Sequence, residues 1–221
     1  VAGVARMVIA TPGQAAFGGR PHPTVLATAK LLGITEVYAI GGPAAVAAFA
    51  FGVESLDLLP VSLVTGPGNI FVAAAKRALR GRIGIDSEAG TTEILILADA
   101  SANARHIAFD LVSQAEHDEL AQAILLSPDA AFLDQVQASI QKLVTTMPRQ
   151  DIIKTSLTDR GALIQMRDLD EAAEISNYIA PEHLELSMDD PLAFSKKIKH
   201  AGAIFMGRDT CEALGDYCAG P

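Results

Sequence analysis

The sequence has few cysteines, and this scarcity excludes two classes of protein. Its two cysteines, Cys211 and Cys218, lie in one short segment and form no C-x-x-C pair. A structural zinc site built on thiolate pairs is therefore not expected. No secretory segment is recognisable, so the two cysteines indicate reduced thiols in a cytoplasmic protein rather than a disulfide framework.

The sequence is also short of basic side chains and of long apolar runs. Its 17 Lys and Arg residues face 26 Asp and Glu residues, for a net charge of -9. This balance argues against a non-specific nucleic-acid surface and against affinity for anionic membranes. The most apolar stretch, residues 39–53, is interrupted by Gly41, Gly42 and Pro43, and it is shorter than the roughly 20 residues that span a bilayer. We therefore expect a small-molecule substrate, no nucleic-acid partner and no membrane association.

The order of apolar segments indicates the fold class. Half of the 221 residues are apolar, enough for a sizeable core. Short β-branched segments, such as residues 7–11 and 94–97, alternate with alanine-rich stretches of helical length, such as residues 104–117. This order is typical of an α/β fold with largely parallel sheets and flanking helices. We predict two Rossmann-like, nucleotide-binding-like domains, residues 1–97 and 98–221, of which the second is incomplete.

Glycine and proline positions support this interpretation. Pro23 and Pro43 are predicted to begin helices, and Gly33 and Gly52 to end them. The segment that starts at Asp99 joins the end of a strand to the cap of the next helix, so we place the domain boundary there.

The first segment that could carry chemistry is SQAEHDE, residues 113–119. Gln114 and His117 are three residues apart at the end of a predicted helix, so they share one face and could hold a metal ion together. His117 is a plausible zinc ligand, whereas glutamine is an unusual one. The alternative is a solvated acidic helix end with a surface histidine.

The second segment is APEHLEL, residues 180–186, which follows a predicted helix. Glu182 and His183 are the two side-chain types best suited to general acid and base catalysis near neutral pH. Adjacent side chains diverge on regular structure, so both could face one substrate only in a loop, which we predict here after Pro181. The alternative is an ordinary polar turn.

Three further residues lie in turns that favour two interpretations each. Asn69 ends the segment GPGN between a strand and a helix, where it could contact a ligand or cap the helix. Thr92 precedes a buried strand, where a hydroxyl usually bonds the backbone and less often a substrate. Asp216 lies in a Gly-rich loop, as a metal ligand or as a turn residue.

Together these segments resemble histidinol dehydrogenases over essentially the whole chain. The patterns of that family are G-P-G-N, A-G-P-S/T-E, S-Q-A-E-H-D-E, A-P-E-H-L-E and L-G-D-Y-x-A-G. They occur here in the same order and at matching spacing, at residues 66–69, 89–93, 113–119, 180–185 and 214–220.

The resemblance implies a zinc- and NAD-dependent enzyme that oxidises L-histidinol to L-histidine through the aldehyde level with two NAD in sequence. It implies that residues 1–97 form the NAD side, with Asn69 contacting NAD, and that Glu182 and His183 form the acid/base pair. It also implies a homodimer in which a partner subunit supplies the fourth zinc ligand. The implied zinc ligands are Gln114, His117 and Asp216, and the implied substrate contacts are these three with Thr92 and His183.

The sequence departs from the family pattern at two positions. Ala44 replaces a glutamine that contacts NAD, and Thr91 replaces a proline in the turn before Thr92. Parts of the family's sequence that precede and follow these segments have no counterpart here, so we expect the chain to be inactive by itself. Two alternatives stay open: a related dehydrogenase of another primary alcohol such as a sulfonated diol, and a non-catalytic α/β ligand-binding module.

Overall fold

The computed structural model describes residues 3–88 and 90–215. The chain forms two compact units, Val1–Gly90 and Thr91–Pro221. Cys218 and Asp216 lie outside the described residues. No helix in the described part of the chain combines the length and apolar character needed to cross a membrane.

The first unit contains two small parallel sheets with three α-helices. Val46 and Ala50 of the second helix pack with Val64 and Ile83 in its core. The first and second strands pair, as do the third and fourth. The elements are β1 (Val8–Ala10), α1 (Pro23–Leu31), β2 (Glu36–Tyr38), α2 (Gly42–Phe51), β3 (Leu63–Val64), α3 (Ile70–Leu79) and β4 (Gly84–Ile85), with short 3-10 helices at Ala15–Phe17 and Glu54–Leu56.

The proline and glycine positions act as predicted. Pro23 is the first residue of α1, and Pro43 lies in the first turn of α2. Gly33 and Gly52 follow these helices with φ of 73° and 77°. A left-handed backbone costs a residue with a Cβ atom about 1–2 kcal/mol, so glycine suits both helix ends.

The second unit is a five-stranded, fully parallel sheet flanked by helices. The strand order is β7-β6-β5-β8-β9, so the chain builds outward from β5 to β7 and then returns to the other side of β5. This reversal is the hallmark of a doubly wound, Rossmann-like sheet. The elements are β5 (Glu93–Ala98), α4 (Ala104–His117), β6 (Gln122–Ser127), α5 (Ala130–Val144), α6 (Gln150–Arg160), β7 (Ala162–Gln165), α7 (Leu169–Ile179), β8 (His183–Ser187), α8 (Pro191–Ser195) and β9 (Ala203–Met206).

The core of this unit is organised by β5, whose side chains alternate between two hydrophobic clusters. Ile94 and Ile96 pack in a cluster with Leu111 of α4. Leu95 and Leu97 pack in a second cluster with residues of α7 and β8. The alternation follows from the two-residue period of a strand, and burial of both faces explains why the segment is apolar throughout.

The domain boundary falls earlier than predicted from the sequence. The predicted division at residues 97 and 98 assigned Glu93–Ala98 to the first domain. This strand instead pairs with β6 and β8 at the centre of the five-stranded sheet, so the compact units divide between Gly90 and Thr91.

Three elements differ from the sequence-based expectation. Residues 180–186 were predicted as a loop, but His183 already belongs to β8, which pairs with β5 and β9. Helices α6 and α8 were not predicted. Polar residues dominate α6, where only Ile153 and Ser156 are buried, and α8 has a single buried side chain, Phe194.

Truncation of the central strand tests this account of the core. Leu97 is fully buried, whereas Leu192 in α8 is 65% exposed. Leu97→Ala should therefore lower the free energy of unfolding by about 2–5 kcal/mol, because it leaves a cavity between packed layers. Leu192→Ala, the matched control, should change it by less than about 0.5 kcal/mol. Equal losses for the two variants in denaturant unfolding would contradict the assigned core.

Candidate active site

The candidate site of the second unit lies where β5 begins. Thr92 precedes the strand and Glu93 is its first residue. The Gln122 amide of β6 donates to the Thr92 carbonyl oxygen at 3.1 Å and fixes the chain at this point. Side chains from the end of α4 and from the start of β8 bond to Thr92 and Glu93, so three elements contribute to one region.

Gln114 is buried on the apolar face of α4. It is fully buried, as are its helix neighbours Leu111 and Ala115. Its Nε2 donates to the Thr92 hydroxyl at 2.8 Å, so this hydroxyl bonds a side chain rather than the backbone. The Gln114 Oε1 atom is buried and accepts no hydrogen bond from the described residues. A buried acceptor without a partner costs about 1–3 kcal/mol, and a cation at this oxygen would offset that cost.

His117 is the last residue of α4 and is exposed to solvent. Its Nδ1 atom lies 3.1 Å from the Ser113 carbonyl oxygen and 3.3 Å from that of Gln114. Nδ1 therefore carries the proton and donates to the backbone, which leaves the Nε2 lone pair available. This is the usual arrangement of a metal-binding histidine, whose second nitrogen is fixed by a backbone or carboxylate acceptor.

The donors present fit zinc in part. Gln114 offers a buried carbonyl oxygen, and His117 offers an imidazole nitrogen. Asp216, the third predicted ligand, lies outside the described residues. Within residues 3–88 and 90–215, no group of three His, Cys, Asp or Glu side chains could hold a metal ion.

Glu182 and His183 both bond to the backbone of one residue, Glu93. The Glu93 N–H donates to Glu182 Oε2 at 3.3 Å, and His183 Nδ1 lies 3.1 Å from the Glu93 carbonyl oxygen. The two side chains are 3.7 Å apart, with 51% of the Glu182 side chain exposed and 15% of the His183 side chain. Thus the neighbours meet although His183 begins a strand, because both use the backbone of β5.

The turn before β8 positions this pair. Ala180 ends α7 with φ 53° and ψ 58°, a left-handed conformation that turns the chain toward the sheet. The Gly202 and Ala203 amides then donate to the carbonyl oxygens of Pro181 and Glu182 at 2.9 and 2.8 Å. A Cβ atom on Gly202 would lie 2.6 Å from the Glu182 carbonyl oxygen, so this close approach requires glycine.

A group of buried carboxyl side chains, not predicted from the sequence, lies beside His183. His183 Nε2 lies 3.8 Å from Glu212 Oε1. Glu212 interacts in turn with Asp110 of α4 and Glu185 of β8. Burial raises the pKa of Glu185, and the charges of Asp110 and Glu212 raise it further. Burial also raises the pKa of Asp110, opposed by the nearby His106 and reinforced by Glu212.

In the first unit, Asn69 caps α3. Its Oδ1 atom accepts from the amides of Phe71 and Val72 at 3.1 and 3.2 Å, so the capping interpretation is confirmed. The Asn69 side-chain nitrogen donates no hydrogen bond within the described residues. A Cβ atom on Gly68 would lie 2.4 Å from the Val72 side chain, so this tight turn requires glycine.

A buried lysine fixes this turn through hydrogen bonds. Lys76, only 2% exposed, donates to the Gly66 carbonyl oxygen and to Asp86 Oδ1, each at 2.6 Å. Asp86 Oδ2 accepts from the Gly66 amide at 2.8 Å. Burial alone would raise the pKa of Asp86, but hydrogen bonds from Lys76 and from the Gly66 and Ser87 amides outweigh it and lower the pKa to about 2.

Comparison with known protein families gives a match over the whole chain. The model of the histidinol dehydrogenase family matches residues 1–221.

The chain belongs to the histidinol dehydrogenase family.

Relatives in this family align along the full chain. It is 55% identical over 221 residues to histidinol dehydrogenase from Neisseria meningitidis, covering 100% of this chain and 50% of that protein. The corresponding protein from Pseudomonas fluorescens is 57% identical and is covered to 49%. The crystal structure of histidinol dehydrogenase from Elizabethkingia anophelis superposes with a TM-score of 0.91 at 35% identity, over 99% of this chain and 50% of that one. The chain spans about half the length of the curated relatives it matches.

The two departures from the histidinol dehydrogenase pattern lie at accessible positions. Ala44 is exposed in the first turn of α2, and Thr91 is exposed just before Thr92. The Ala44 methyl group and the Thr91 hydroxyl group are exposed, so another residue at either position would leave the core undisturbed.

The ion pair between Lys76 and Asp86 makes the free energy of unfolding depend on pH. Because the Asp86 pKa is lowered to about 2, its contribution is complete above the unfolded-state value near 4 and is lost as the pH falls toward 2. Asp86→Asn should therefore destabilise the protein at pH 7, on the order of 1 kcal/mol given solvent screening of this partly exposed pair. The difference in unfolding free energy should shrink at pH 2. An equal difference at both pH values would contradict the assigned role.

Proposed function

We propose that the gene product that contains this chain oxidises L-histidinol to L-histidine, using NAD and zinc. The observation that carries the proposal is the backbone of Glu93, whose N–H and carbonyl oxygen bond Glu182 and His183 next to the Thr92–Gln114 pair. A general base, a carboxylate open to water and an unsatisfied metal-type donor are the components that such an oxidation needs.

His183 acts as the base for the alcohol. Its Nδ1–H donates to the Glu93 carbonyl oxygen, which fixes the neutral tautomer and leaves Nε2 to accept the hydroxyl proton. NAD, when bound, would supply the acceptor for the hydride of the carbon that bears this hydroxyl, so one proton and one hydride are removed in each oxidation.

Glu182 serves the second oxidation. The aldehyde must gain a water molecule before it can lose another hydride and become a carboxylate. Half of the Glu182 side chain is exposed, and its Oε2 atom is held by the Glu93 amide. From this position the carboxylate takes a proton from the attacking water. The summed reaction consumes one water molecule and two NAD.

Gln114, His117 and Asp216 would hold zinc, which supplies a Lewis acid that binds and orients the substrate. Zinc in proteins takes about four ligands, so we propose that a second copy of the protein in a homodimer supplies another. Thr92 would contact the substrate while it accepts a bond from Gln114. On the NAD side, the side-chain nitrogen of Asn69, which donates no hydrogen bond within the described residues, would contact NAD.

Steady-state kinetics of the gene product test the proposal. NADH formation at 340 nm should follow addition of L-histidinol and NAD. His183→Gln should lower kcat by about 10²–10⁴-fold, the usual contribution of a general base. His200→Gln is the matched control, because His200 is exposed and its side chain bonds no described residue.

Two outcomes would contradict the proposal. Absence of NADH formation with any alcohol would favour a non-catalytic ligand-binding module. A higher kcat/KM for another primary alcohol, such as a sulfonated diol, would retain the chemistry but replace the substrate.

A further inference from the structure

The carboxyl group of Glu212, beside His183, has no part in the reaction as described so far. Glu212 follows β9 and is 6% exposed. Its Oε1 atom lies 3.8 Å from His183 Nε2, on the nitrogen that is left free when Nδ1 donates to Glu93. Exposed Glu182 approaches the opposite nitrogen, with Oε2 3.7 Å from Nδ1. The imidazole therefore lies between two carboxyl groups, one solvated and one buried.

The distance and burial of Glu212 determine what it can do. A separation of 3.8 Å exceeds that of a hydrogen bond, so neutral His183 keeps its Nε2 lone pair for a substrate hydroxyl. Once Nε2 takes a proton, the same separation makes an ion pair. A buried ion pair is screened by protein rather than by water, which strengthens it several-fold over an exposed one.

Two further carboxyl groups, those of Glu185 and Asp110, interact with Glu212. Glu185 is 1% exposed, and one of its carboxyl oxygens accepts no hydrogen bond in the described structure. Asp110, from α4, interacts with both of these carboxyl groups and has His106 as a neighbour. Of Glu185 and Asp110, Glu185 holds its proton more readily, because burial raises its pKa most and the charges of Asp110 and Glu212 raise it further. The Phe205 ring, 6.1 Å from that of His183, adds no charge.

We propose that Glu212 is a positioning residue for His183, whose carboxylate stabilises the imidazolium that forms when His183 accepts the substrate proton. The inference rests on the proposed function for its substrate, but the ion pair itself does not require turnover. Glu212 makes the base stronger without contacting the substrate, while the hydrogen bond from Nδ1 to the Glu93 carbonyl oxygen keeps the ring oriented.

The test uses Glu212→Gln and Glu212→Asp in the complete gene product, with Asp209→Asn as control. Asp209 is an exposed carboxylate on the same loop. In Glu212→Gln, kcat should fall about tenfold with little change in KM, and the acidic limb of the pH–rate profile should move down by about one pH unit. Glu212→Asp should recover part of the loss, and Asp209→Asn should match the parent.

Nitrogen NMR of the His183 ring provides a readout without catalysis. The pH at which half of the His183 rings are protonated should be about one unit lower in Glu212→Gln than in the parent. If the parent oxidises no alcohol but this shift occurs, the proposed function fails and the ion pair stands. If the NMR titration and the pH–rate profile are unchanged in a folded Glu212→Gln variant, the proposal for Glu212 is wrong. If that variant does not fold, the same two readouts in Glu212→Asp decide: a smaller shift in the same direction supports the ion pair, and an unchanged profile overturns it.

Discussion

The arrangement of the candidate site depends on the backbone of one residue, Glu93, at the start of the central strand. Its N–H holds Glu182 and its carbonyl oxygen orients His183. The residue before it, Thr92, accepts the hydrogen bond that fixes buried Gln114. These bonds are precise because β5 is hydrogen-bonded on both sides and buried on both faces. A strand that cannot shift provides the rigid support that catalytic side chains require.

The position of the site in the sheet is unusual for this architecture. Ligands of doubly wound sheets generally bind at the carboxyl ends of the strands, near the point where strand order reverses. Here the candidate residues lie at the amino ends of β5 and β8 and at the end of α4. At the carboxyl ends the reversal point is filled by a polar network in which Arg208 contacts Ser101 and Asp189. The fold class therefore supplies the scaffold, and the side chains decide where the chemistry occurs.

Much of this could be predicted from the sequence. The alternation of β-branched and alanine-rich segments predicts the α/β fold, because each strand buried on both faces must be apolar throughout. The depth of Gln114 follows from the apolar neighbours on its face of α4. The contact between Glu93 and the pair Glu182 and His183 could not be predicted, because it joins residues about 90 positions apart through strand pairing.

The buried charges are the features that local patterns predict least. Glu185 alternates with Leu184 and Leu186, as a solvent-facing residue of a strand would, yet α4 covers that face. Lys76 lies in a helix where lysine normally points to solvent, and only its bonds to Gly66 and Asp86 explain its burial. In both cases the decisive partner lies on another element.

Zinc binding tests the account of the site most directly. The gene product, stripped of metal and titrated with zinc by calorimetry, should bind one zinc ion per active site. Gln114→Leu should weaken that binding by about 10–100-fold or more, because it removes the buried side-chain carbonyl oxygen from the proposed ligand set. Gln135→Leu, on the exposed face of α5, should leave it unchanged. Equal zinc affinity in Gln114→Leu and the parent would contradict the account.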